Sequence, residues 1–274
     1  MRIEKAMLVF RKDWHEIRRN WQVVLPITVV PLMISVFLPV ILGVIPNFAA
    51  SQGDSLSGFE ALIENLPNHV LEQLASMTEI QVMLYVMAVY FFAPFFLIIP
   101  LMASSVIASD SFAGEKERKT IEALLATPIS DGELFLGKML VSFIPSMAIT
   151  IVSFAFYTIV FDVISYGIFN GILLLPTIDW ILMIFGLAPT VALASIGLTV
   201  MISARVKGFR EAQQISVILL IPVLALVFGQ VTGAIVFGPV VILALIGLFG
   251  LVDFAVFRAG VKLFKREEIL TKLA

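Results

Sequence analysis

The sequence contains no cysteine, so neither a disulfide nor thiolate chemistry is available to it. Its two histidines, His15 and His69, lie far apart, and no Cys/His cluster with metal-ligand spacing exists. There is no G-x-x-x-x-G-K-[ST] phosphate loop, no H-E-x-x-H and no Gly-x-Ser-x-Gly. The chain therefore lacks the usual means of binding and hydrolysing ATP, and no catalytic centre of a familiar kind. Charge is scarce as well: 14% of the 274 residues are Asp, Glu, Lys or Arg. A soluble domain carries about 25%.

What is abundant is apolar surface. Hydrophobic residues make up 60% of the chain and gather into runs of about 20 residues, the length that crosses a bilayer. The spans are expected at about 23–45, 82–109, 139–161, 180–203, 215–235 and 236–257. This predicts an all-α membrane protein, with residues 1–274 forming one transmembrane domain. The charged N-terminal region and its following apolar run are both longer than a cleavable signal peptide uses. Pro94 and Pro100 predict a kinked second span. Its inner half, with Ala103, Ser104, Ser105, Ala108 and Ser109, is small enough for close helix packing.

Residues 1–21 read as an interfacial amphipathic helix. Ile3, Met7, Phe10, Trp14, Ile17 and Trp21 recur at helical spacing, with basic residues mostly elsewhere around it. All 18 Lys and Arg fall in four segments: 1–20, 110–138, 203–214 and 258–274. Residues 46–81 and 162–179 contain none. By the positive-inside rule both termini and both charged loops are cytoplasmic, and six spans satisfy that pattern. The expected localisation is a multi-pass protein of the cytoplasmic (inner) membrane.

Ionisable groups near the spans are few: Asp110, Asp162, Asp179 and Asp253. Proton- or sodium-driven transport normally buries such groups within the spans. Asp253 stands close enough to the end of its span to pair with Arg258 or to face water. A membrane-embedded enzyme would need polar residues converging at one depth, and the spans do not offer them. A channel or lipid scramblase, which needs only a polar groove, stays open as the alternative.

The most charged internal loop is Asp110–Lys138, DSFAGEKERKTIEALLATPISDGELFLGK. Gly114 to Ala126 is expected to be helical, with a Glu115/Lys119 pair one turn apart, and Pro128 to end it. Ser130-Asp131-Gly132-Glu133 is a capping-box pattern opening the next helix. Thr120 is expected to bond back to the Lys116 carbonyl.

The order Glu115-x-Glu117-x-x-Thr120-Ile121-Glu122-x-Leu124-Leu125-x-Thr127-Pro128, continued by Leu136-Gly137-Lys138, resembles the first cytoplasmic loop of type-2 ABC transporter permeases. That family usually has Gly before the Thr, where this chain has Lys119. The entry to the first span, the 203–214 loop and the Phe264-Lys265-Arg266-Glu267-Glu268 ending resemble the family too. The resemblance implies an N-terminal connecting helix, a cytoplasmic coupling helix, and a non-enzymatic permease subunit of an ATP-driven exporter. It implies as partners a separate ATP-binding subunit, which would hold ATP and Mg, and a second permease copy, in the lipid bilayer and without nucleic acid.

No cofactor or metal is expected in this chain. Glu115, Glu117, Arg118, Thr120, Ile121, Glu122, Leu124 and Leu125 are the residues this places at the ATPase contact, the apolar three packing the helix on its neighbours. Arg205, Lys207, Arg210 and Glu211 form a secondary loop contact or serve only as topology signals. Phe92, Phe95 and Gln230 are candidates for a translocation path, with ordinary membrane-core packing as the plainer reading.

Overall fold

The computed structural model describes residues 3–49, 63, 66, 68–120, 127 and 129–263. Among them there is no strand. The helices are α1 (Ile3–Ile17), α2 (Trp21–Val44), α3 (Asn68–Leu74), α4 (Glu79–Glu117), α5 (Asp131–Ser165), α6 (Ile178–Ser203), α7 (Phe209–Val231) and α8 (Pro239–Leu263). All but α1 and α3 are long and apolar enough to cross a membrane, so the chain is a multi-pass membrane protein with six spans.

The spans are unequal. The most apolar stretch of α4 is 72% buried, that of α8 only 11%. Thus α4 is the centre of the bundle and α8 lies at its rim. The small inner half of α4 explains its position: Ala103, Ser104, Ala108 and Ser109 are buried where α4 packs on α5 and α6. Ser195 on α6 donates to the Leu101 carbonyl at 2.9 Å across this contact.

Helix boundaries depart from hydropathy alone. The 39 residues of α4 would span roughly 58 Å at 1.5 Å per residue, about twice the hydrocarbon core. Among the described residues Gly114 does not open a helix of its own. Instead α4 continues through a π-helical segment, Asp110–Gly114, and stops at Glu117. Residues 121–126 and Pro128 lie outside the described residues. Likewise α5 begins at Asp131 rather than near 139. Ser130 Oγ accepts from the Glu133 N–H and Glu133 Oε2 from the Ser130 N–H, so the capping box is formed. The expected 203–214 loop is shorter, because α7 starts at Phe209.

Proline shapes the other irregular segments. The π-helical stretches Met33–Phe37 and Met183–Leu187 each end two residues before a proline, Pro39 and Pro189. A proline has no N–H and its ring crowds the carbonyl four residues back, which loosens the preceding turn. In α4 the break is larger: π-helical Val86–Phe91 is followed by 3₁₀-helical Ala93–Leu97 around Pro94. Pro100, by contrast, sits in regular helix.

The carbonyls beside the Pro94 break are taken up by three other spans. Tyr157 Oη on α5 donates to Ala88 O at 2.9 Å, Trp180 Nε1 on α6 to Val89 O at 2.9 Å, and Gln230 Nε2 on α7 to Tyr90 O at 2.6 Å. Within a bilayer no water can serve these carbonyls, so the side chains are what make the break tolerable. Phe96, Phe154 and Tyr157 pack their rings around Trp180 with centroids 4.9 to 5.6 Å from it.

Candidate functional site

The charged ends of α1, α4 and α5 meet in a largely buried ion network. The reason begins with α1. Its fully buried face is Ala6, Val9, Asp13 and Ile17; of the expected apolar stripe Ile17 belongs to it, Phe10 and Trp14 pack half-buried beside it, and Ile3, Met7 and Trp21 are exposed. Gly137 on α5 permits this approach. A Cβ there would stand 2.7 Å from both the Ala6 carbonyl oxygen and Val9 Cβ. The approach carries Asp13 inward, beside Lys138.

Lys138, 1% exposed, is the centre of the network. Its Nζ lies 2.6 Å from Glu115 Oε2, 2.5 Å from Ser111 O, and 3.2 Å from both Asp13 Oδ2 and Ser111 Oγ. Ser111 Oγ also donates to Asp13 Oδ2 at 2.7 Å. Lys12 Nζ bridges Asp13, Glu16 and Glu115 from the rim. Arg118 pairs with Asp110 at 2.8 Å and reaches Glu16 at 3.8 Å, while Asn20 Nδ2 donates to Asp110 at 3.0 Å. Three cations, Lys12 of α1, Arg118 at the end of α4 and Lys138 of α5, thus serve four carboxylates, two from α1 and two from α4.

Burial alone would push the Asp13 carboxyl up. The charges of Lys138 and Lys12 and the Ser111 hydroxyl outweigh it and hold Asp13 below the usual carboxylate range. Lys12 loses hydration too, but Asp13, Glu115 and Glu16 raise it above the ordinary lysine range. Asp13, Glu16 and Glu115 offer oxygens within 4.8 Å of one another, a spacing that suits a cation. The ammonium groups of Lys12 and Lys138 already supply that positive charge.

Beyond the network α4 ends in an exposed turn, Glu117 to Thr120. The Thr120 N–H bonds to Glu115 O at 3.0 Å and the Lys119 N–H to Lys116 O at 3.1 Å, a Schellman stop with Lys119 at φ 56°. The Thr120 hydroxyl bonds back to the Glu115 carbonyl at 3.4 Å rather than to that of Lys116. The stop shifts it by one residue. The left-handed conformation of Lys119 also means that no helical Glu115/Lys119 pair exists.

The same turn is tied to the segment between α6 and α7. Glu117 Oε2 accepts from the Phe209 N–H at 2.9 Å, the first residue of α7. Lys116 Nζ donates to the carbonyls of Ser203 and Val206, both at 3.1 Å. Three successive side chains therefore link α4 to different neighbours: Lys116 and Glu117 to the α6–α7 segment, Arg118 to α1.

The expected contact residues separate into groups. Glu115 is 1% exposed and held by two lysines of its own chain, so it has no free surface to offer a partner. Glu117, Arg118 and Thr120 are exposed. Ile121, Glu122, Leu124 and Leu125 lie outside the described residues. Arg205, Lys207, Arg210 and Glu211 are exposed, with Glu211 accepting from the Lys207 N–H at 3.0 Å. Of the path candidates, Phe92 and Phe95 are half-buried against Phe91, while Gln230 is wholly buried as the strut to Tyr90. Asp253 makes no ion pair among the described residues; Arg258 lies over the Phe254 ring instead, at 4.8 Å.

Sequence reasoning missed Lys12, Asp13, Asp110 and Lys138 as one cluster. A signal existed for Lys138: it is a lone cation flanked by Leu136 and Met139 at the head of an apolar run. Nothing local indicated that Asp13 would face it.

No curated protein matches the chain. A family model does, described as ABC-2 family transporter protein, and the match runs over residues 7–250, from within α1 to within α8. It thus takes in the ion network, the α4 turn, five spans and the first half of the sixth, and the chain belongs to the ABC-2 family of transporter proteins.

Proposed function

We propose that the chain is the membrane-spanning permease subunit of an ATP-driven exporter, powered by a separate ATPase subunit that docks on the segment following α4. The observation that carries this reading is the convergence at residues 116–118. Lys116 holds the end of α6 and the segment after it, Glu117 holds the start of α7, Arg118 reaches α1, and the adjoining turn is exposed. A displacement applied to that turn would be passed to α1 and α7 together. The buried Lys138–Glu115 pair makes α5 part of the same rigid unit.

On this reading ATP and Mg belong to the partner, and the chain performs no catalysis of its own. Two permease copies surround the path, which opens by alternating access. The cation-rich end faces the cytoplasm, as the distribution of Lys and Arg supports. Within the docking segment Glu117, Arg118 and Thr120 are the exposed described residues. Glu115 works one layer behind them, as a positioning residue.

The test is co-purification from the native host in mild detergent. An ATPase subunit that accompanies the chain and hydrolyses ATP is the expected result. Glu117→Lys should insert normally and abolish partner-stimulated transport, since it removes the acceptor for the Phe209 N–H and inverts the charge of the turn. Transport unchanged in that variant, or no ATPase under several gentle extractions, would overturn the reading in favour of an ATP-independent channel or scramblase.

A further inference from the structure

At the end of the bundle away from the cations, a groove of about 620 Å³ opens beside the last turns of α5. Thr158, Asp162 and Tyr166 recur four residues apart and so share one helical face. Ile159, Val163 and Leu173 form apolar walls, and all three are largely exposed. In a bilayer such walls face acyl chains. Tyr166 just follows the α5 terminus, the level at which tyrosine marks the membrane–water interface.

Asp162 is only 6% exposed. One oxygen, Oδ1, accepts from the N–H groups of Leu174 at 3.1 Å and Leu175 at 3.3 Å, which pins the following loop. Its second oxygen has no partner among the described residues, and neither has the buried Thr158 Oγ1 one turn earlier. Among the described residues no cation answers the charge. Every Lys and Arg lies in the four segments that sequence places at the opposite end, and none of the described ion pairs involves Asp162. An unpaired carboxylate at the edge of hydrocarbon is costly unless a positive group comes to it.

We propose that this groove binds the ammonium headgroup of a membrane lipid, a phospholipid with a primary amine, with its chains along Ile159, Val163 and Leu173. An ammonium has three donors and no acceptor, which suits the free Asp162 oxygen and the Thr158 hydroxyl oxygen. The apolar walls select an amphiphile over a bare hydrated cation. This site is independent of the transporter reading and would stand if that reading failed.

The test uses the full-length protein, delipidated in detergent and exposed to mixed micelles of phosphatidylethanolamine and phosphatidylglycerol. Retained lipid is counted by native mass spectrometry. Wild type should retain the ethanolamine lipid in preference, and Asp162→Asn should lower that preference by about tenfold. Asparagine keeps an oxygen for the Leu174 and Leu175 N–H groups, so the loop stays pinned while the charge and the free acceptor oxygen are lost. Ile159→Trp, which fills the groove and spares Asp162, should also abolish the preference, and it decides the matter if Asp162→Asn fails to fold. Equal retention by wild type and either folded variant, or a preference for phosphatidylglycerol, would overturn the proposal and leave Asp162 as a loop cap only.

Discussion

Lys138 Nζ and Glu115 Oε2 stand 2.6 Å apart, with both side chains 1% exposed. They come from different helices, α5 and α4, and Asp13 of α1 completes the contact. Removing water from such a pair costs about as much as the attraction returns, so its value lies in what happens when one member is lost.

Lys138→Met should be strongly destabilising. It leaves Asp13 and Glu115 buried with Lys12 alone to answer them, a change worth about 3–5 kcal/mol. Thermal unfolding in detergent measures it. Glu115→Gln should cost less in the Lys138→Met background than in the wild type, and the double-mutant cycle gives the coupling. Additive losses would show that the two residues act separately.

Gly137→Ala sets two effects against each other. Alanine favours a helix over glycine by about 1 kcal/mol. Its Cβ, however, would meet the Ala6 carbonyl oxygen and Val9 Cβ at 2.7 Å, and neither is the end of a flexible side chain. Overpacking of this kind costs about 1–3 kcal/mol, so the contact outweighs propensity. The expected result is α1 loosened from α5, read as faster amide exchange over residues 3–17 with the spans unchanged.

Lys119→Gly should stabilise the protein. Lys119 sits at φ 56°, a conformation that costs a residue with a Cβ about 1–2 kcal/mol. The unfolded chain gains entropy from the glycine, which offsets roughly 0.5–1 kcal/mol of the relief. A net gain of roughly 0–1.5 kcal/mol remains, visible as a higher unfolding temperature. Glycine, which the permeases that this loop resembles usually have before the Thr, is the residue that a Schellman stop favours.

The attachment of α1 should depend on pH at the extremes. Asp13 is lowered in the folded state, so its contribution is present above its unfolded value near 3.8 and is lost as pH falls through the folded one. Lys12 is raised, so its contribution is complete below its unfolded value of 10.5 and is lost only in stronger alkali. Emission from Trp14, half-buried on α1, should stay constant between about pH 5 and 10 and shift in acid. Asp13→Asn should remove the acid shift, and a shift that persists there would assign it to another carboxylate.

The number of spans, their approximate places and the gathering of cations at one end were legible in the sequence. Hydropathy and charge act through each segment's own residues, so 20 apolar positions predict a span whatever surrounds them. The Ser130–Glu133 cap was legible for the same reason, since its partners lie within one turn. The helix stop at Glu117 was not, because residues 114–126 all favour a helix and the Schellman turn wins locally against propensity.

The orientation of α1 was decided by tertiary structure. Of its apolar stripe, Ile3, Met7 and Trp21 are exposed and only Ile17 is fully buried, whereas the less hydrophobic Ala6 and Asp13 are inside. It is the absence of a side chain at Gly137, 131 positions beyond Ala6, that lets a thin face approach and brings Asp13 to Lys138. The roles of Glu115 and Glu117 diverge for the same kind of reason. They are two residues apart on a 3.6-residue helix, so one turns into the bundle towards Lys138 and the other out towards Phe209. The sequence by itself determined that a six-span protein would present its cations at one end. Which of those charges are buried together, and which remain at the surface to meet a partner, depends on contacts between residues about 100 positions apart, which only the packed helices establish.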